Sequence, residues 1–305
     1  MNPAEKLKKI LNKEEAGVFF IAEAGVNHNG SLEIAKQLVD AAVEIGADAV
    51  KFQTFKAENL VTADAGKAEY QNANDDRDDT QLAMLKRLEL PYDSFVELKT
   101  YCAEKGILFM STPFDLDSAA FLKELGVEAF KVGSGNLTDL PLLASVAQAG
   151  LPMIISTGMA SEAEIREAVS TARDAGCKDL ILLKCTSTYP ASPENSNVLS
   201  IPHMRELFGC EVGLSDHTMG VGAAVAAVAH GATVIEKHFT LSRTDASVDS
   251  AFSLEPAELA NLVIETERAW QSLGKVTYGP TEAEKNSMKF RRSLYISQDM
   301  KAGEV

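Results

Sequence analysis

Glu211-Val212-Gly213-Leu214-Ser215-Asp216-His217 and Thr233-Val234-Ile235-Glu236-Lys237-His238-Phe239-Thr240 are two short apolar runs, each carrying a histidine at or near its end. Such runs, rich in branched residues and broken by charge where they end, have the pattern of buried strands. Between them, 221–229 has the length and composition of a helix. Strand, helix, strand in that order makes the two strands parallel neighbours, so both imidazoles leave the same end of a sheet. Two neutral imidazoles placed there can hold one divalent ion, with Glu236, on the same strand face as His238, orienting a water on it. The competing reading is a pair of hydrogen-bonded imidazoles without an ion.

Outward from this pair the same unit recurs. Strands are expected at 18–26, 47–55, 107–114, 129–134, 152–158 and 180–187, which with 211–217 and 233–240 makes eight. Helices are expected at 32–45, 92–105, 116–125, 140–149, 161–175, 198–208, 221–229 and 256–273, with Ser31 capping the first and Gly46, Gly106 and Gly126 as stops. Eight strand–helix units predict an α/β protein of the (β/α)₈ TIM-barrel class. A doubly wound sheet uses fewer strands and a glycine-rich fingerprint, and no GxGxxG follows the first strand. The barrel is expected over 17–276, after a polar, lysine-rich leader at 1–16 and before a linker at 277–290, with 291–305 opening a further domain. One long polar loop, 56–80, follows the second strand and is placed as a lid; its acidic stretch, Asn72-Ala73-Asn74-Asp75-Asp76-Arg77-Asp78-Asp79, reads as a solvated insertion.

Among the 305 residues, 29 basic side chains face 44 acidic ones, a net charge of −15, which argues against general affinity for nucleic acid or anionic membrane. An anionic substrate must then be met by a few positioned lysines and amides. Cys102, Cys177, Cys185 and Cys210 lack CxxC spacing and sit in or beside apolar segments, the pattern of reduced thiols. With neither a signal peptide nor a membrane span in the sequence, a cytoplasmic location is expected.

Residues at the C-terminal ends of barrel strands face the substrate. Those positions hold Glu23, Lys51, Gln53, Thr112, Lys131, Ser134, Ser156, Lys184, Ser187, Ser215, His217, Glu236 and His238. Lys51 and Lys131 lie within apolar strands, where an unpaired charge is costly, and with the hydroxyls of Thr112, Ser134, Ser156 and Ser215 they suit a phosphate and a carboxylate. The bland alternative is lysines that snorkel to solvent. His28, in the loop after the first strand, fits loop hydrogen bonding at least as well as catalysis, and Lys184 fits either a phosphate contact or a buried ion pair. A Schiff-base aldolase using Lys131 or Lys184, and a sugar-phosphate-binding barrel without chemistry, are the rival readings.

The segments Ile21-Ala22-Glu23-Ala24-Gly25-Val26-Asn27-His28-Asn29-Gly30, Val50-Lys51-Phe52-Gln53-Thr54-Phe55, Ser111-Thr112-Pro113-Phe114, Phe130-Lys131-Val132-Gly133-Ser134-Gly135 and Ile155-Ser156-Thr157-Gly158-Met159, with the two histidine runs, resemble the sialic acid synthase family of nonulosonate synthases. The resemblance implies a barrel followed by a small antifreeze-protein-like (SAF) domain. That domain would start near Arg291, be mostly absent from this chain, and swap across a homodimer. It implies condensation of phosphoenolpyruvate with an N-acetylated hexosamine, N-acetylmannosamine favoured, to a nine-carbon 2-keto acid such as N-acetylneuraminate. Legionaminate or pseudaminate synthesis from a di-N-acetylated 6-deoxyhexose is the alternative. By the same resemblance a divalent metal, Mn²⁺ with Mg²⁺ or Co²⁺ as alternatives, sits on His217 and His238. Lys51, Thr112, Lys131, Ser134, Ser156, Ser187 and Ser215 surround phosphoenolpyruvate; Glu23, Gln53, Tyr189 and Asp249 hold the sugar; Glu236 lies beside the metal water. Two departures stand out: Asn136 where the family often has a carboxylate, and the run Ser247-Val248-Asp249-Ser250-Ala251-Phe252-Ser253, closer to pseudaminate synthases.

Overall fold

The computed structural model describes residues 2–14, 16–68, 71–72, 77, 80–245 and 247–304. Eight strands, β1 (Phe19–Gly25), β2 (Ala49–Thr54), β3 (Leu108–Pro113), β4 (Phe130–Val132), β5 (Met153–Ser156), β6 (Leu180–Cys185), β7 (Glu211–Asp216) and β8 (Val234–His238), form one parallel sheet. Their order is β3-β2-β1-β8-β7-β6-β5-β4. The pairing of the first strand with the last, Phe19 opposite Val234 through Glu23 opposite His238, curls the sheet into a barrel. Among the described residues no ladder joins β3 to β4, which leaves one seam in a barrel of the predicted class.

The helices α2 (Leu32–Glu44), α5 (Tyr92–Lys105), α6 (Leu116–Leu125), α7 (Leu140–Ala147), α8 (Glu162–Asp174), α9 (Ser200–Phe208), α10 (Gly222–Ala229) and α11 (Pro256–Leu273) follow the strands in turn, within two residues of expectation at most ends. Ser31 caps α2, its Oγ accepting from the Ile34 amide at 3.3 Å. Helix stripes and outward strand residues, such as Phe20, Ala22, Leu38 and Phe95, form the larger core.

Inside the barrel the strand period of two sorts side chains by height. Phe19 and Ile21 point inward below Glu23; Ala49 lies below Lys51 and Gln53; Leu108 and Met110 lie below Thr112; Val234 lies below Glu236 and His238. The lower ends of these columns pack into an apolar plug and the upper ends are polar.

Three segments differ from expectation. Residues 1–16 are more than a leader: α1 (Pro3–Leu11) inserts Leu7 and Ile10, each 3% exposed, into the plug at the barrel's lower end. The apolar positions of α1 are few and alternate with lysines, which masked the stripe. The 56–80 loop holds a short helix, α3 (Ala57–Leu60), and is followed by an unanticipated one, α4 (Gln81–Leu88), capped by Thr80. Of the acidic stretch, residues 73–76, 78 and 79 lie outside the described residues. Contacts divide the chain into units 1–272 and 273–305. In the second, the linker contains a 3₁₀ helix, Glu282–Phe290, and the described residues after it carry no strand. Among the described residues no helix is long and apolar enough to cross a membrane, and the four cysteines are buried and free.

Candidate active site

Above the plug, four buried charges meet. The Lys51 ammonium lies 2.5 Å from Glu23 Oε2 and 3.7 Å from Glu236 Oε2, and donates to Thr112 Oγ1 at 3.0 Å. Lys131 lies 3.4 Å from Glu236 Oε1, which also accepts from Ser215 Oγ at 2.9 Å. Strand register produces this cluster: Glu23 is opposite Lys51 on one side and His238 on the other, and Ser215 is opposite Glu236. Two ammoniums and two carboxylates thus offset one another among nearly buried side chains.

Burial raises the Glu23 carboxyl, with the Lys51 charge opposing and Glu236 adding to the rise. Glu236 resists the same burial effect because Lys131 and Lys51 flank it, and is held at about 2. Two neighbouring carboxyls are thereby separated into one that can carry a proton and one that stays ionised, the division acid–base chemistry requires. Burial also lowers Lys131, against the pull of Glu236, whereas for Lys51 the two carboxylates outweigh burial and raise it.

The serines converge around a second close approach. Ser134 Oγ accepts from the Gly158 amide at 2.9 Å, and a Cβ on Gly158 would collide with the hydroxyls of Ser187 and Ser134, so only glycine admits them. Among the described residues Ser156 Oγ is buried without a hydrogen-bond partner, a hydroxyl left for a ligand oxygen. Gly25 is needed on the other wall for its left-handed φ of +54°, and Glu23 Oε1, Asp249 Oδ2 and Gln53 Nε2 pack within 3.4 Å of where a Cβ would stand.

His217 and His238 face each other with ring centroids 5.4 Å apart, and Tyr189 packs on both, 4.4 Å from His217 and 6.2 Å from His238. The Thr186 carbonyl, 2.9 Å from His217 Nδ1, can only accept, so Nδ1 carries a proton and Nε2 is the nitrogen left to face a ligand. Burial, with His217 and Lys51 adding to it, holds His238 well below the usual imidazole range, and its buried Nδ1 has no hydrogen-bond partner. Burial would lower His217, but its hydrogen bonds to Cys185 and Thr186 outweigh burial and raise it, so a divalent ion held between the two rings would compete with a proton on His217. Among the described residues no third histidine, cysteine or carboxylate completes a metal cluster, so water and substrate would supply the other ligands.

Glu23, Lys51, Gln53, Thr112, Lys131, Ser134, Ser156, Ser187, Tyr189, Ser215, His217, Glu236 and His238 line one inner cavity of about 270 Å³. Asp249 lines an adjoining outer cavity of about 550 Å³ that shares Gln53, Phe114, Gly135, Tyr189 and His238 with the inner one. The sequence reading did not anticipate Cys185 in the inner lining, although its inward parity with Ser187 carries that signal. The outer wall draws Asn59, Leu60, Val61 and Gln71 from the 56–80 loop that was placed as a lid, and Gln81, Met84, Leu85 and Leu88 from α4, which was not anticipated. Lys184 takes neither role expected of it: it lines a separate cleft beside α8 and α9, and its ammonium donates to Cys185 O at 2.9 Å. His28 is a loop residue, its Nδ1 accepting from the Gly30 amide at 3.0 Å. Asn136 sits at the outer cavity, donating to the Phe114 carbonyl at 3.4 Å.

The profile of the NeuB family matches residues 38–278. The N,N'-diacetyllegionaminic acid synthase of Legionella pneumophila is 44% identical over 290 residues, covering 93% of this chain and 82% of that protein. Its Campylobacter jejuni counterpart is 42% identical over 288 residues, covering 93% and 86%. The crystal structure of N-acetylneuraminic acid (sialic acid) synthetase from Leptospira borgpetersenii in complex with citrate superposes with a TM-score of 0.78 at 38% identity, covering 91% of this chain and 92% of that one. With its barrel and its strand-end residues accounted for, the chain belongs to the NeuB family and is an enzyme of the sialic acid synthase type.

Proposed function

We propose that the inner cavity binds phosphoenolpyruvate and the outer one an N-acylated hexosamine, which condense with water to a nine-carbon 2-keto acid and phosphate. The observation that carries this reading is the pair of buried lysines, Lys51 and Lys131, beside an unpartnered serine hydroxyl and two facing imidazoles in one cavity. Lys51, Lys131 and Thr112 meet the anionic groups of phosphoenolpyruvate, and Ser134, Ser156, Ser187 and Ser215 donate hydroxyls to its oxygens. His217 and His238 would hold the divalent ion, Mn²⁺ with Mg²⁺ or Co²⁺ as alternatives, which when bound supplies Lewis-acid polarisation of the sugar aldehyde. A divalent cation also suits the charge balance: with Glu23 holding its proton, Lys51 and Lys131 exceed Glu236 by one charge, less than the phosphate and carboxylate of phosphoenolpyruvate bring.

C3 of phosphoenolpyruvate attacks the aldehyde carbon as the carbon–carbon bond forms, and Glu23, the carboxyl raised by burial, delivers a proton to the aldehyde oxygen. Glu236 orients the water that adds at C2, and the proton released returns to Glu23. Loss of phosphate from the tetrahedral carbon leaves the ketone. Gln53 and Tyr189 at the lip between the cavities, with Asp249 in the outer one, orient the sugar. Burial raises Asp249 to about 7, and its Oδ2 lies 3.9 Å from His238 Nδ1. N-acetylmannosamine is the acceptor favoured by the sequence, with the precursors of legionaminate and pseudaminate as alternatives. The reading includes a homodimer.

Phosphate release from phosphoenolpyruvate across a panel of hexosamines tests the reaction. His217→Ala or His238→Ala is expected to abolish condensation while leaving phosphoenolpyruvate affinity within a few-fold; equal loss of both makes the pair structural. The lowered Lys131 favours one rival, a Schiff base on its amine. Borohydride trapping of a lysine adduct would support that rival, and loss of activity with a chelator, restored by Mn²⁺, would oppose it.

A further inference from the structure

Lys237 is a third lysine buried in a barrel strand, 1% exposed, and the condensation does not use it. Glu236 and His238 line the inner cavity, so Lys237 between them points to the opposite face of β8. By the same alternation Asp216, between Ser215 and His217, points to the opposite face of β7. The two residues are partners in register, and the Lys237 ammonium lies 2.7 Å from Asp216 Oδ2. That ammonium also donates to the Thr218 carbonyl. Asp216 Oδ1 in turn accepts from the Thr218 amide at 2.9 Å and from the Thr218 hydroxyl at 2.8 Å.

His217 thus stands between two residues, Asp216 and Thr218, that a single ammonium grips, and that ammonium belongs to the residue just before His238. The backbone ladder between β7 and β8 ends at Asp216 and Lys237, one residue short of both histidines. Beyond that point the His217 carbonyl accepts from the Ala191 amide, in the loop after β6, at 2.8 Å. The side-chain contacts of Lys237 therefore tie His217 to β8 where the ladder no longer does. A buried ion pair adds little net stability over neutral side chains of similar size, so stability alone does not account for this one. Geometry does, because an ion shared by two imidazoles depends on the distance between them. We propose that Lys237 and Asp216 are positioning residues of the divalent-ion site, fixing His217 against His238 and so setting the affinity for the ion. The inference rests on the proposed metal site and goes beyond it by assigning the spacing of the two ligands to side chains outside the cavity.

The test measures Mn²⁺ and phosphoenolpyruvate binding separately by calorimetry on chelator-treated enzyme, with urea unfolding alongside, for the parent, Lys237→Met and the double variant Asp216→Asn with Lys237→Met. Lys237→Met alone strands the Asp216 carboxylate and is expected to lower the urea midpoint. The double variant removes both charges while keeping a side-chain oxygen for Thr218. Its midpoint is expected to return close to that of the parent, while it binds Mn²⁺ roughly tenfold or more weakly and phosphoenolpyruvate within about threefold of the parent. Recovered stability without recovered Mn²⁺ affinity is the result that a merely structural pair does not give. Unchanged Mn²⁺ affinity in the double variant overturns the inference and leaves the metal site intact. So does a parallel loss of stability and of both ligands, which makes the pair structural. A parent enzyme that takes up no Mn²⁺ overturns the metal reading and this inference with it.

Discussion

Glu236 is the residue whose removal should disturb the site most, because both buried lysines depend on it. Glu236→Gln leaves two ammoniums facing Glu23 alone, and breaking a buried pair in this way costs about 3–5 kcal/mol. The expected outcome is a urea midpoint lowered accordingly, with inorganic phosphate restoring more stability to the variant than to the parent. Equal restoration would mean that the lysines are not left in excess. At His28 burial alone acts, holding the imidazole down to about 4 against an ordinary 6.5. The buried form is neutral, so its contribution is complete above pH 6.5 and is lost as pH falls toward 4, amounting to about 3 kcal/mol. His28→Asn keeps an acceptor for the Gly30 amide and removes the titration. Urea unfolding at pH 7 and pH 4.5 should show the parent losing more stability than the variant, and parallel losses would exonerate His28. The positions of Lys51, Lys131, Glu236 and the histidines were legible because charge inside an apolar strand is conspicuous. The division of labour between Glu23 and Glu236 was not, because it arises from neighbours distant in sequence.

Strand elements were legible through the same alternation that builds the site, and their register follows from apolar columns below and polar ends above. Two helices escaped for different reasons. In α4, Met84, Leu85 and Leu88 have helical spacing and Thr80 is a cap, but the acidic stretch before it obscured the boundary. In α1 the cap was legible too, since Asn2 Oδ1 accepts from the Ala4 amide at 2.9 Å, yet its buried stripe is only Leu7 and Ile10. What fixes α1 is tertiary: Lys6 reaches Asp48 at 2.7 Å, and the same carboxylate accepts from the Phe20 amide at 2.8 Å, so helix, β1 and the turn before β2 share one anchor. Leu7→Ala should therefore cost about 2–4 kcal/mol, as for a core leucine, whereas Lys8→Ala on the exposed side should stay within about 0.5 kcal/mol. If both substitutions shift the denaturation midpoint equally little, α1 does not belong to the folding unit.

The barrel as a whole has one place where backbone hydrogen bonds do not bind neighbouring strands, between β3 and β4, and the proposed anion site lies across it. Thr112 is next to last in β3, while Lys131 lies on β4 and Ser134 just beyond it. Phosphoenolpyruvate bound there would join the two sides of the seam through its own oxygens, where no ladder does. Two consequences separate this view from simple occupancy of a preformed pocket. Ligand at a hundredfold excess over Kd adds about 2.7 kcal/mol by mass action, which at about 2.1 cal/mol/K of unfolding entropy per residue raises Tm by about 4–5 °C. That shift is common to any tight ligand. Hydrogen exchange supplies the specific readout, because local opening at an unpaired seam proceeds without unfolding the rest. Phosphoenolpyruvate should slow exchange in β3 and β4 more than in β6 and β7, whose mutual ladder is intact. Uniform slowing around the barrel would show that the seam is already held by side-chain packing and that the anion does not brace it.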